Sequence, residues 1–178
     1  MSEIMIAGFG GQGILAAGVM LANAGLLAGL QTTWLPSYGA TMRGGTANCF
    51  VKIDSEEIGS PYIDEADFLL AFNEPSLLKF HGTVKKGGCI FANNSLIRKE
   101  VPRSDVNVFY VPATERAREL GDVRTANVFM LGVLFSKTAL LPYESAAASL
   151  EDYFSAKSEK VIELNKRVFR AGYEWKEG

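Results

Sequence analysis

The chain has 178 residues, 48% of them hydrophobic and 21% charged, with a formal net charge of −2. That length builds one domain, residues 1–178, with a real core, and the slightly acidic balance excludes a general nucleic-acid binder. The two cysteines, Cys49 and Cys89, belong to no C-x-x-C pair, so this chain alone is expected to build neither a zinc site nor an iron–sulfur cluster.

Charge is unevenly spread. Residues 4–53 carry only Arg43 and Lys52, whereas the chain from Glu151 onward is densely charged. A nearly uncharged half in a soluble protein means a deeply buried sheet, a surface covered by a partner, or both. The N-terminus has no basic leader region, so no secretory signal is expected and a reduced, cytoplasmic setting is. Ile14 to Leu30 is uncharged. It is short for a membrane span, rich in Gly and Ala, and lacks basic flanks, so no membrane association is expected.

In chain order, Glu3–Ala7 reads as a buried strand and Gln12–Ala28 as a helix ended by Gly29. The small residues of that helix allow close approach to a sheet or another subunit. Gln31–Leu35 reads as a second strand, stopped by Pro36, and Thr46–Ile53 as a third. Glu56–Ser60 reads as a short fourth piece. Asp67–Asn73 is again strand-like, and Glu74-Pro75-Ser76 opens a short helix. Cys89–Asn93 and Asn107–Val111 are two more strands, followed by a helix at Thr114–Leu120. Ala126–Leu140 reads as a buried helix, with amphipathic helices at Tyr143–Phe154 and Glu159–Trp175. Alternating strands and helices predict an α/β fold, a three-layer sandwich around a mainly parallel sheet, opening on a Rossmann-like βα unit.

Gly8, Gly10 and Gly13, with Gly11 between them, match G-x-G-x-x-G between a strand and a helix. Such a turn lets backbone approach an anion at the helix N-terminus. A dinucleotide site also needs an acidic residue about 20 residues on, for the ribose. No acidic residue lies between Glu3 and Asp54, so packing between strand and helix is the favoured reading of the glycines.

The stretch Ser37–Asn48 follows a strand's C-terminal end, where open α/β sheets place ligands. Gly39, Gly44 and Gly45 permit close backbone approach. Arg43 offers a fixed cation suited to carboxylate or phosphate, and Ser37, Tyr38, Thr46 and Asn48 add neutral hydrogen-bonding groups. An anion or interface role is expected here. His81, the one histidine, reads as a helix C-terminus. Asp64, Glu65 and Asp67 read as a solvated turn. Asn73 and Thr125-Ala126-Asn127 read as helix caps.

Gly8-Phe9-Gly10-Gly11-Gln12-Gly13, Ser37-Tyr38-Gly39, Met42-Arg43-Gly44-Gly45-Thr46-Ala47-Asn48-Cys49 and Ile58-Gly59-Ser60-Pro61 together resemble the gamma subunit of 2-oxoacid:ferredoxin oxidoreductases. The wording looks most like the 2-oxoglutarate branch (2-oxoglutarate synthase), with pyruvate, branched-chain 2-oxoacid and indolepyruvate enzymes sharing the skeleton. One departure is Thr41, neutral where many relatives carry an acidic residue before Met-Arg. The resemblance implies a multi-subunit enzyme that decarboxylates a 2-oxoacid on thiamine diphosphate and passes electrons through iron–sulfur clusters to ferredoxin. Its product is an acyl-coenzyme A. Thiamine diphosphate, Mg2+ and the clusters are expected on alpha, beta and ferredoxin-like delta partners, with coenzyme A as co-substrate and no cofactor held by this chain alone. This chain is then not catalytic by itself; expressed alone it could pair as a homodimer. The Arg43 loop would reach toward the active site or the coenzyme A channel. The competing readings are a stand-alone nucleotide-dependent reductase and a non-enzymatic assembly protein.

Overall fold

A computed structural model describes residues 1–38 and 45–177, without the side chain of Tyr38. Six strands form one sheet: β1 (Ser2–Phe9), β2 (Gln31–Tyr38), β3 (Thr46–Asp54), β4 (Ala66–Ala71), β5 (Val84–Asn93) and β6 (Asn107–Val111). Six helices accompany them: α1 (Ile14–Leu27), α2 (Glu74–Phe80), α3 (Ala113–Glu119), α4 (Ala126–Thr138), α5 (Tyr143–Phe154) and α6 (Glu159–Tyr173). The sheet order is β2-β3-β1-β4-β5-β6.

The expected three layers are present, unequally filled. Apolar residues of one sheet face, including Ile4, Ile6, Val51, Leu70 and Phe91, pack with α1, α3, α4, α5 and α6. The other face packs Met5, Leu69 and Ile90 against Leu77 of α2 and against Ile63, Ile97 and Val101 of the connecting segments. Five strands run in one direction. Strand β3 runs against them, antiparallel to both β1 and β2. Strands β2 and β3 are consecutive in sequence and antiparallel neighbours, a pairing that needs no crossover connection.

Three sequence expectations need correction. Pro36 does not end β2: the ladder continues through Pro36↔Cys49 to Tyr38↔Ala47. Strand β2 is an edge strand, bonded on one side only, where a proline is tolerated. Glu56–Ser60 is not a strand. The Asp54 carboxylate accepts from the Ser55 and Glu56 amides at 2.7 and 3.4 Å and bends the chain away. The Thr125-Ala126-Asn127 cap is also different. Thr125 makes no side-chain cap bond to α4; its hydroxyl donates to the Asp122 carbonyl at 2.7 Å.

Helices α4 and α6 cross at glycine. A methyl group on Gly132 would run into the Phe169 carbonyl, and one on Gly172 into the Phe129 carbonyl. Backbone meets backbone at that crossing, so neither side can yield. Gly132→Ala is expected to lower stability by about 2–3 kcal/mol, read as a shift of the urea midpoint.

At the N-terminal end of the sheet, Glu3 is buried and ion-paired with Lys52 at 3.0 Å and Lys85 at 2.8 Å; Lys85 also reaches Asp67 at 2.8 Å. Burial pushes the Glu3 carboxyl up, but the Lys85 and Lys52 ammonium groups outweigh it and hold the group below 4.5. A carboxyl depressed in the folded state stabilises the fold above its unfolded value and loses that stabilisation as pH falls through its folded value. Acid titration of stability below about pH 4.5 is therefore expected to be shallower in Glu3→Gln than in the parent, as measured by denaturant melts at a series of pH values.

Candidate functional site

Each strand but β3 ends at the same edge of the sheet, and the connections there gather into one cluster. It comprises the β1–α1 glycine turn, the described ends of the β2–β3 connection, the β4–α2 junction and the segment before α4. Gly10 N–H donates to the Gly45 carbonyl at 2.9 Å, tying the glycine turn to the end of the β2–β3 connection. The two candidate stretches of the sequence are thus one place in the fold. Gly39, Gly44 and Arg43 lie outside the described residues, as do Ala40, Thr41 and Met42.

The other candidates fall where the register puts them. Ser37 stands opposite Asn48 in the β2–β3 ladder, and Thr46 opposite Phe9. Asn48 is buried, whereas Ser37 and Thr46 are exposed. Tyr38 pairs with Ala47 through its backbone.

Gln12 organises the turn, a role the glycine pattern does not announce. Its side-chain oxygen accepts from the Phe9 amide at 2.7 Å and from Asn73 Nδ2 at 3.0 Å, and its Nε2 donates to the Phe72 carbonyl at 3.4 Å. Asn73 also caps α2, accepting from the Ser76 amide at 2.9 Å, as expected. Asn127, from the start of α4, donates to the Gly13 carbonyl at 3.0 Å across 114 positions of sequence. Neither contact has a local sequence signal, because both partners are brought together only by the sheet.

The glycines have separate reasons. Gly11 and Gly13 adopt φ of 99° and 73°, the left-handed region that glycine favours. A methyl group on Gly8 would sit 2.7 Å from Gln12 Oε1, and one on Gly13 would sit 2.5 Å from Asn127 Nδ2. Gly13 gives α1 no side-chain cap, so the first-turn amides of α1 lack the side-chain acceptor that a Ser, Thr, Asp or Asn would supply.

This geometry works against a dinucleotide. In open parallel sheets the ligand crevice opens where successive connections leave on opposite faces. Here that point lies between β1 and β4, since α1 packs on one face and α2 on the other. The Gln12 carboxamide occupies it. The strand that follows α1 is also displaced to the sheet edge, with β3 between it and β1. The position from which a ribose-binding carboxylate would reach is moved by a whole strand spacing.

Two open clefts flank the turn. One, of about 690 Å³, is lined by Phe9, Gly10, Leu15, Trp34, Pro36 and Thr46. The other, of about 470 Å³, is lined by Gly13, Arg124, Asn127, Tyr153, Lys157 and Asn165, among others. Arg124 is paired with Asp122 at 2.6 Å. Uncapped amides beside Lys157 suit binding of an anionic group, whereas the charge of Arg124 is already matched by Asp122. They supply no nucleophile. Burial pushes the Cys49 thiol up to about 12, and partial burial raises that of Cys89, so neither is activated as a thiolate. His81 caps the C-terminal end of α2, at the opposite edge of the sheet, so no hydroxyl at this end has an imidazole base.

The described residues bring no three metal-ligating side chains together. With Cys49 buried, Cys89 half-buried and no other ligating side chains gathered beside either, this donor set does not fit an iron–sulfur cluster or a magnesium diphosphate. No described helix is long and apolar enough to cross a membrane.

Residues 3–175 match the family model described as pyruvate ferredoxin/flavodoxin oxidoreductase. The chain belongs to this family. It is 42% identical over 177 residues to the ketoisovalerate oxidoreductase subunit VorA of Methanothermobacter marburgensis, covering 97% of this chain and 36% of that one. It therefore spans little more than a third of the length of that relative. It is 33% identical to the 2-oxoglutarate synthase subunit KorC of Methanothermobacter thermautotrophicus, covering 97% of this chain and 93% of that one. Among solved structures, the gamma subunit of a keto/oxoacid ferredoxin oxidoreductase from Geobacter sulfurreducens superposes with a TM-score of 0.84 at 28% identity, covering 98% and 97% of the two chains. The 2-oxoglutarate:ferredoxin oxidoreductase of Magnetococcus marinus, solved with 2-oxoglutarate, coenzyme A and succinyl-CoA, gives 0.87 at 27% identity. That match covers 97% of this chain and 30% of the other. The family resemblance read from Gly8–Gly13, Ser37–Gly39, Met42–Cys49 and Ile58–Pro61 holds, and the α/β fold is that of the Geobacter gamma subunit.

Within this family fold, Gln12 is a structural lock at the loop cluster. Gln12→Ala leaves the Phe9 amide and the Asn73 carboxamide short of an acceptor. It is expected to lower stability by about 1–3 kcal/mol without creating affinity for NADH or NADPH. Denaturant melts and thermal shifts with each nucleotide measure the two effects.

Proposed function

We propose that this chain is a gamma-type subunit of a multi-subunit 2-oxoacid:ferredoxin oxidoreductase. In that reaction a 2-oxoacid and coenzyme A give an acyl-coenzyme A and CO2, and two electrons pass to ferredoxin. The observation that carries the reading is the family match over residues 3–175, supported by near-complete mutual coverage with a 2-oxoglutarate synthase subunit. Thiamine diphosphate, Mg2+ and the iron–sulfur clusters belong on alpha, beta and delta companions, because this chain's described residues offer them no donor set. When bound there, thiamine diphosphate supplies the carbanion chemistry. The share of this chain is to hold a loop cluster rich in backbone amides against its companions and the coenzyme A path. Arg43, between the anchored ends at Tyr38 and Gly45, is the residue proposed to meet an anionic group of coenzyme A.

The substrate proposed is a branched-chain 2-oxoacid. Identity of 42% to a ketoisovalerate oxidoreductase subunit, against 33% to a 2-oxoglutarate synthase subunit, favours it over 2-oxoglutarate. A relative from Pyrococcus furiosus, 30% identical, is named as a subunit common to pyruvate and ketoisovalerate oxidoreductases. In that pair of enzymes the gamma chain cannot be what selects the substrate, so specificity is assigned to the companions here too.

The test is purification of the tagged chain from its native host, followed by assays with ketoisovalerate, 2-oxoglutarate and pyruvate in the presence of coenzyme A and ferredoxin. Co-purifying companions and coenzyme A-dependent oxidation of ketoisovalerate are expected. Preference for 2-oxoglutarate would overturn the substrate assignment, and a lone chain without activity on any 2-oxoacid would overturn the whole reading. In the active complex, Arg43→Ala is expected to raise the Michaelis constant for coenzyme A several-fold; unchanged assembly, constant and turnover would remove Arg43 from the site.

A further inference from the structure

Helix α1 carries no charged residue from Ile14 to Leu27. A helix apolar on every side is normally enclosed on every side, and α4 illustrates this, with Ala126 through Phe135 all buried. Helix α1 is not enclosed. Its Gly18 and Gly25 lie against Trp34 and Thr32 of β2, and the Met20 carbonyl accepts from Ser149 of α5 at 2.7 Å. Between those two contacts an outer stripe remains, formed by Leu15, Val19 and Leu26, which share one helix face. Leu26 is 56% exposed, and Leu15 and Val19 are half-buried. Trp34, 37% exposed, and Pro36 line the cleft that Leu15 borders and extend the apolar surface onto the edge strand. The other outer helices look different. Helix α5 shows Glu144 and Glu151 to solvent, and α6 shows Glu163, Arg167 and Arg170.

We infer that the Leu15–Val19–Leu26 stripe, with Trp34 and Pro36, is the surface on which this chain docks to its oxidoreductase companion. The inference rests on the subunit reading above. Two observations select the occupant. The surface has no charge to offer, so it suits an equally uncharged apolar face and not an acidic carrier or a polar peptide. In the VorA relative and in the Magnetococcus enzyme the matched region is about a third of a longer chain, so there a further portion of the same chain is tethered to it. A surface that stays apolar in an otherwise charged outer layer fits permanent cover by that portion, whether it is part of the same chain or a separate subunit.

The experiment uses the complex purified through this chain. Hydroxyl-radical footprinting of Leu26 and Trp34 compares the complex with the isolated chain, and Val19→Glu is compared with Leu78→Glu, an exposed residue of α2 on the other sheet face. Labelling of Leu26 and Trp34 is expected to fall several-fold in the complex. Val19→Glu is expected to weaken assembly at least tenfold while Leu78→Glu does not, with thermal melting of the isolated variants close to the parent. Equal labelling in both states overturns the inference even if Val19→Glu misfolds. So does self-association of the isolated chain that Val19→Glu abolishes while the complex still forms, since a second copy then holds the surface. Absence of any companion in the native preparation would instead refute the subunit reading itself.

Discussion

Helix α1 lies so close to the sheet that two of its positions have no room for a side chain. A methyl group on Gly18 would stand 2.5 Å from Cys49 Sγ and 2.6 Å from Trp34 Nε1, and one on Gly25 would stand 2.5 Å from a Thr32 methyl. Ordinary carbon contacts need about 3.5–4.0 Å. This close contact explains the run of small residues in α1, places Cys49 out of reach of water, and sets the height at which α1 begins. That height brings the Gly13 carbonyl to Asn127 and the Gln12 carboxamide to Phe72 and Asn73, just past the end of β4.

The loop cluster inherits its order from that contact. Gln12 links the glycine turn to Phe72 and Asn73, Gly10 links it to Gly45, and Asn127 holds it from the side of α4. Each link is a single modest hydrogen bond, but several partners are buried, so an unmade bond there costs more than a made one contributes. A turn held from three directions presents its amides at fixed positions. Fixed amides suit a chain that contributes a binding surface to chemistry performed on its neighbours.

The same economy of charge shapes both the inner and outer sides of the first third of the chain. Inside, Cys49, Val51 and Ile53 fill the space under α1. Outside, Leu15, Val19 and Leu26 remain apolar where α5 and α6 have turned to charge. Solvation favours charge on a free surface. Under the docking inferred above, α1 becomes interior in the assembly and is peripheral only in the isolated chain.

Apart from the strand expected at Glu56–Ser60, the sequence alone determined the element order, because each strand and helix carries its own period and its own stops. Asn107–Val111 and Tyr143–Phe154 were legible to the residue. It also determined the family, because the glycine turn and the segment from Tyr38 to Cys49 are local words, readable without the fold. Tertiary structure alone decided where those words meet. Pro36 reads as a stop until the strand is known to lie at an edge, and the missing charge reads equally as a buried sheet or a covered surface until the outer stripe of α1 is seen. The roles of Gln12 and Asn127 depend on partners 61 and 114 positions away. Pairings at that separation leave no periodic trace, since they are fixed by which strands adjoin and how closely a helix packs on them.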